Sequence, residues 1–175
     1  MQPFNAVLSG GRVVVPVQSE ADSLHSDGYG EWAETHLLML DAFEALYNVE
    51  RGKLTVIDEE SGQALDFRGL LNFFSGTDPK TLTRFIVYKD LRTRGFVTQR
   101  ADGEELDFRV FDRGTFPKQG PSINVFIISE GSAERVEDLI VKVREAQGKG
   151  VELKLAVVDR RGEIVYYTLS ERKFG

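Results

Sequence analysis

The stretch from Phe85 to Arg113, FIVYKDLRTRGFVTQRADGEELDFRVFDR, constrains the fold more than any other part of the chain. It reads as a helix, a glycine stop, a strand, a tight turn and a second strand. Asp78 is the expected N-cap, with Pro79 at the first helical position, where its missing N–H costs nothing. Leu82, Phe85, Ile86 and Leu91 form one apolar stripe, and Gly95 supplies the left-handed residue that ends the helix. Phe96 to Gln99 is extended and Asp102-Gly103 is the turn. Leu106, Phe108 and Val110 then alternate with Asp107, Arg109 and Phe111, the pattern of a half-buried strand.

The elements around this block predict an α/β (α+β) chain of two small domains, residues 1–76 and 77–175. Phe4–Leu8 and Arg12–Val17 flank Gly10-Gly11, a hairpin signal. Residues 18–35 are polar and glycine-containing, with Gly28-Tyr29-Gly30 and the only tryptophan, Trp32. His36–Leu40 is a short apolar run with strand character. Asp41 with Glu44 three residues on is a capping-box pair, opening a helix whose buried face is Phe43, Leu46 and Tyr47. Lys53–Asp58 is a strand, Ser61-Gly62 a turn, and Phe67–Phe74 a short helix ending near Gly76. In the second domain, residues 113–121 are an irregular loop and Ile123–Ile128 a strand apolar on both faces. Val136, Leu139, Ile140 and Val143 give residues 134–147 helical periodicity, with that stripe facing the sheet. Leu153–Val158 and Glu163–Leu169 are strands joined by the turn Asp159-Arg160-Arg161-Gly162. The second domain is therefore a mixed sheet flanked by helices.

Composition narrows the chemistry. Cysteine is absent and only His25 and His36 are present, which removes thiolate nucleophiles and disulfides and makes a histidine-rich metal site improbable. No apolar run approaches membrane-spanning length and no leader pattern opens the chain, so a cytoplasmic protein without a membrane partner is expected. The net charge of −6 argues against general nucleic-acid binding. The charge is uneven: residues 18–60 hold eleven acids against Arg51 and Lys53, while residues 84–118 hold eight bases against six acids. That split suits a protein meeting RNA over one restricted face, or one whose partner supplies most of the positive charge.

The segments YKDLRTRGFV and DFRVF, in that order, resemble the heart of the archaeal tRNA-splicing (tRNA-intron) endonuclease family. GYGEW followed by LMLDAFEALYNVERGKLTVID resembles its amino-terminal domain, and LAVVDRRGEIVYYTL its final hairpin. The resemblance implies metal-free RNA cleavage that needs no cofactor, in which the ribose 2′-OH attacks the adjacent phosphorus and leaves a cyclic phosphate and a 5′-OH. A tyrosine takes the proton, a histidine gives one and a lysine stabilises the phosphate charge. The tyrosine position falls on Phe111, the histidine position on Ser122 and the lysine position on Glu152; a shift of register would bring Lys149 or Lys154 to the last. Phenylalanine accepts no proton and serine is a poor acid, so this chain is not expected to cut by that route.

The family also contains two-plus-two heterotetramers, in which a structural subunit keeps the fold and a catalytic subunit carries the triad. The resemblance therefore implies a structural partner of a catalytic subunit, acting on precursor tRNA with a bulge-helix-bulge. It places two contacts between subunits: the tip Asp159, Arg160, Arg161, Gly162 and Glu163, inserted into a neighbour, and the last strand, with Ile164, Tyr166, Tyr167 and Leu169, paired with another chain. Arg160 and Arg161 depart from a purely acidic tip. Arg109 and Arg113 flank the degenerate site as candidate RNA contacts, and Arg92 and Arg94 read as helix-end cations. Two other readings compete: an enzyme using Tyr88, Tyr166 or Tyr167 with Lys154, and a scaffold or binding module that reuses the fold without RNA processing.

Overall fold

Two β-sheets, one in each half of the chain, organise the protein. The computed structural model describes residues 2–33, 36–101 and 105–174. The expected Asp102-Gly103 turn lies outside the described residues. The chain divides into two units, Met1–Phe85 and Ile86–Gly175. That division falls later than the boundary expected after residue 76. The helix Thr81–Thr93 is the reason: its first turns carry Phe85, which packs on Phe67, with ring centroids 5.2 Å apart.

The first unit is built on the predicted hairpin, β1 (Phe4–Ser9) and β2 (Arg12–Val15). The other elements are α1 (Gln18–Ser26), β3 (Glu31–Trp32), β4 (Leu38–Leu40), α2 (Ala42–Glu50), β5 (Leu54–Asp58), β6 (Ala64–Leu65) and α3 (Phe67–Ser75). The strand order is β3-β4-β2-β1-β5-β6, with β1 and β5 parallel and the other neighbours antiparallel. Leu8, Val13, Val15, Leu38, Leu40, Phe43, Leu46 and Val56 fill its core.

The helix α1 lies within residues 18–35, a stretch whose polar composition announces no element. It begins at Val17, which offers no side-chain cap, and buries only Ala21 and Leu24. A single turn of apolar spacing in a polar segment is too little periodicity to read. By contrast, α2 opens with the full capping box that Asp41 and Glu44 announce. The Glu44 carboxylate also reaches outside its helix. One oxygen accepts from the Asp41 N–H at 2.9 Å and the other from the Gly30 N–H at 2.7 Å. Gly30 has φ 79, and a Cβ there would lie 2.7 Å from Leu38, so the turn leading into β3 tolerates only glycine. Replacing Glu44 by alanine removes both bonds, one of them to the half-buried turn at Gly30. We expect a loss of about 2–3 kcal/mol, read as a lower urea midpoint at unchanged m.

The second unit holds most of α4 (Thr81–Thr93), then β7 (Thr98–Arg100), β8 (Phe108–Val110), β9 (Ile123–Ser129), α5 (Val136–Gly148), β10 (Glu152–Val158) and β11 (Ile164–Leu169). Asp78 stands in the turn before α4, its carboxylate accepting from the Lys80 N–H at 3.0 Å, so the helix begins at Thr81 and not at Pro79 as expected, and Gly95 follows its end with φ 92. The strand order is β11-β10-β9-β8-β7. β9 and β10 are parallel, and the remaining pairs are antiparallel. Both halves are thus α+β.

Strand alternation assigns the sheet two faces. Phe108 and Tyr88 meet on the α4 side, with ring centroids 5.7 Å apart and both side chains fully enclosed. Leu153, Val143 and Ala146 meet on the α5 side, joined by half-buried Leu106, Val151 and Leu169. The stripe expected to carry α5 reaches the core only at its carboxyl-terminal half. Val143 is buried and Leu139 and Ile140 are half-buried, whereas Val136 is 70% exposed. The chain beyond β11 is tied back to α5 by a two-bond Arg144–Glu171 ion pair at 2.9 and 3.0 Å, which lowers the Glu171 pKa and raises that of Arg144. Among the described residues no helix is long and apolar enough to cross a membrane.

Candidate functional site

Strand directions bring three separate chain segments to one end of the second sheet. β8 runs antiparallel to β9, and β10 runs parallel to β9, so the end of β8 lies beside the starts of the other two. The backbone joins them directly. The Ser122 N–H donates to the Val110 carbonyl at 3.0 Å, and the Glu152 N–H donates to the Ser122 carbonyl at 3.0 Å. Phe111 follows Val110 and donates its N–H to Val97 at 2.9 Å. Phe111, Ser122 and Glu152, singled out from distant parts of the sequence, are therefore neighbours in space.

Their side chains offer little acid–base chemistry. Phe111 is buried and meets Phe116 edge-to-face, with centroids 5.1 Å apart. Ser122 is half-buried, and Glu152 is exposed with its carboxylate 4.0 Å from the Lys154 ammonium. The lysines that flank Glu152 are engaged elsewhere. Lys149 pairs with Glu145 at 3.1 Å, one helical turn back, and Lys154 donates to Thr168 Oγ1 at 2.7 Å. Both histidines are residues of the first unit.

The alternative tyrosines are also accounted for. Tyr88 is fully buried, and its hydroxyl receives a bond from Arg92 Nε at 3.2 Å. Tyr166 donates its hydroxyl to Asp90 at 2.8 Å; burial first, then that carboxylate, raises its pKa far above the ordinary phenol range. A phenol so protected is a poor proton acceptor at neutral pH. Tyr167 is half exposed but pairs with Leu155, on the opposite face from Lys154. Tyr166 shares the α4 face with Lys154, but its hydroxyl is bonded to Asp90 and the lysine to Thr168.

Arg109 lies in β8 between Gln99 and Asn124 on the α5 face, while Arg113 stacks over the Phe96 ring at 4.7 Å. Arg94 pairs with Asp90 at 3.3 Å, so it and Arg92 serve α4 and its packing. The tip between β10 and β11 is a closed turn. Asp159 Oδ1 accepts from the Arg161 and Glu163 N–H groups at 2.8 and 2.9 Å, which leaves Arg160, Arg161 and Glu163 turned to solvent. Asp159 is thus a turn-former first, a role visible in the Asp-x-x-Gly pattern. β11 occupies the edge of its sheet, with Val165 53% and Tyr167 51% exposed. Among the described residues no group of three or more His, Cys, Asp or Glu is arranged to hold a metal ion.

Comparison with known proteins accounts for this architecture. A family model described as tRNA intron endonuclease, N-terminal domain, matches residues 4–71, and one described as tRNA intron endonuclease, catalytic C-terminal domain, matches residues 81–166. The chain belongs to the tRNA intron endonuclease family. It is 30% identical over 173 residues to the tRNA-splicing endonuclease of Thermococcus onnurineus, covering 99% of both chains. It is 32% identical over 168 residues to that of Pyrococcus furiosus, covering 95% of both. A 34% match to the tRNA-splicing endonuclease of Methanosarcina acetivorans takes in 93% of this chain but 45% of the relative. The two family models follow the same order as the two sheets, and the carboxyl-terminal one contains all three of the neighbouring positions at the strand ends.

Proposed function

We propose that this chain is the structural, non-cutting subunit of a two-plus-two heterotetrameric tRNA-splicing endonuclease, acting with a catalytic subunit on precursor tRNA at bulge-helix-bulge motifs. One observation carries the reading. At the positions onto which the family resemblance maps a base, an acid and a cation, this chain carries Phe111, Ser122 and Glu152, and none of these side chains can supply the group called for. A carboxylate in place of the cation would oppose, not stabilise, the negative charge that develops on phosphorus. Conservation of the two-unit architecture beside that loss supports a role in assembly.

The surfaces suited to assembly are the 159–163 tip and the outer strand β11, including Ile164, Tyr166, Tyr167 and Leu169. An unpaired edge with large apolar side chains favours pairing with a second strand. RNA contact suits the second unit better than the first. Residues 1–85 hold thirteen acids against six Lys or Arg, and residues 86–175 fifteen against sixteen, so the excess negative charge belongs to the first unit. Arg109 and Arg113 are the arginines of the second unit nearest the degenerate positions in sequence, and we assign them to RNA positioning.

Mixing tests the proposal. The purified chain alone should leave a bulge-helix-bulge precursor uncut, and a subunit bearing tyrosine, histidine and lysine from the same organism should co-elute with it and cut only, or far faster, in the mixture. Cleavage by the isolated chain would overturn the structural-subunit assignment. Failure to co-elute would favour a scaffold that reuses the fold outside RNA processing.

A further inference from the structure

The Lys89-to-Arg94 segment of the opening motif has no part in the strand-end site, yet it holds the edge strand. Ile86, Asp90 and Arg94 recur at four-residue spacing and so lie along one line of α4 and its last turn. That line meets the β10–β11 hairpin three times. A Cβ on Gly162 at the tip would lie 3.5 Å from Ile86 Cδ1. Asp90 Oδ2 accepts the Tyr166 hydroxyl proton at 2.8 Å in mid-strand, and the Arg94 guanidinium sits 5.8 Å from the Tyr166 ring centre while pairing with Asp90 at 3.3 Å.

β11 needs such a fastening. It has a neighbouring strand on one side only, and irregular chain follows it. On the α5 face Leu169 alone packs into the core, while Val165 and Tyr167 stand half exposed. Edge strands followed by irregular chain open at low free energy. A strand that must present its free edge to another chain binds more tightly if it is already ordered, because the ordering entropy is not charged against association. Burial and the neighbouring carboxylate keep the Tyr166 phenol protonated, so it remains a donor.

We propose that Asp90 is a positioning residue for subunit pairing: through Tyr166 and Arg94 it holds β11, and through β11 the 159–163 tip, in the form a neighbouring chain receives. This rests on the assembly role argued above and assigns it residues outside the interface itself. Asp90 touches no partner and no RNA in this account.

Tyr166→Phe keeps the ring and loses the donor. In the isolated chain, hydrogen exchange at residues 164–169 should quicken about tenfold, the cost of one hydrogen bond to a charged group, with α5 amides unchanged. Affinity for the triad-bearing subunit, measured well below the melting temperature of either variant, should fall by a similar factor of about ten. Asp90→Ala should match it, the double variant should be no worse than either single one, and Asp90→Asn, which still accepts the proton, should recover most of the loss. A lowered melting temperature with unchanged affinity in Tyr166→Phe would overturn the proposal, since that is what a merely structural bond would give. If the native chain itself does not associate, the assembly role fails separately; unchanged exchange at 164–169 in Tyr166→Phe would then sink the fastening on its own terms.

Discussion

Replacing Tyr88 by alanine should destabilise the second unit by about 3–5 kcal/mol, the range for truncating a large buried aromatic. Tyr88 is fully enclosed, packs at a tilt on Phe108 on the α4 side of the sheet and receives a bond from Arg92. Truncation removes the contact that joins α4 to β8 and leaves a cavity between two elements held apart by their backbones. A helix and a strand cannot collapse together to fill it without breaking the Phe108–Val125 pairing to β9. For a unit of this size the melting temperature should drop by more than about 10 °C. Tyr88→Phe separates the two contributions. It keeps the ring and should cost only about 1 kcal/mol, the usual net worth of one hydrogen bond. Equal losses in the two variants, followed by circular dichroism on heating, would mean that the hydroxyl and not the packing carries the site.

Placing aspartate at both Val165 and Tyr167 should have the opposite profile. The two side chains are 53% and 51% exposed and project from the α5 face of the edge strand. In the chain alone the double variant should lose less than about 1 kcal/mol, within the span of strand propensities at exposed positions. Association should weaken by about 100-fold or more, because two carboxylates would be carried into an apolar contact without partners. Analytical ultracentrifugation of the variant with the triad-bearing subunit reads the effect directly. If the variant assembles like the native chain, β11 is not the pairing edge, and the tip at 159–163 must act without it. The pair of results matters together: Tyr88→Ala harms folding, whereas the aspartates harm only assembly.

The two substitutions sit on opposite faces of one sheet, and only one of those faces was readable in advance. Alternation of Phe108 and Val110, the Asp41–Glu44 capping box and the Gly95 stop are local signals, each carried by residues within one turn or strand of one another, whereas Leu106, expected on the face of Phe108, packs with Val143, Ala146 and Leu153 because β8 begins only at Phe108. Local signals of that kind placed both hairpins, α2, α3, α4 and β8 to β10 close to where they stand. They failed for α1, where Val17 provides no cap and Ala21 and Leu24 are the only buried residues, and for β6, whose two residues are too few to alternate. They also overstated α5, since the spacing of Val136 to Val143 says which side of the helix is apolar but not how far the sheet beneath it extends.

What the sequence determined by itself was the type of each well-marked element, the family to which the order of motifs belongs, and the identity of the groups at positions 111, 122 and 152. Tertiary structure alone decided that those three positions meet, because their meeting depends on β9 pairing antiparallel with β8 and parallel with β10. It likewise decided that β11 is an edge and that Asp90 bonds Tyr166 across 76 residues of chain. The physical reason is the same in each case. Capping, turn formation and side-chain periodicity are settled by neighbours in sequence, whereas strand order and the partner of a half-buried polar group are settled by which surfaces the whole chain can bury at once.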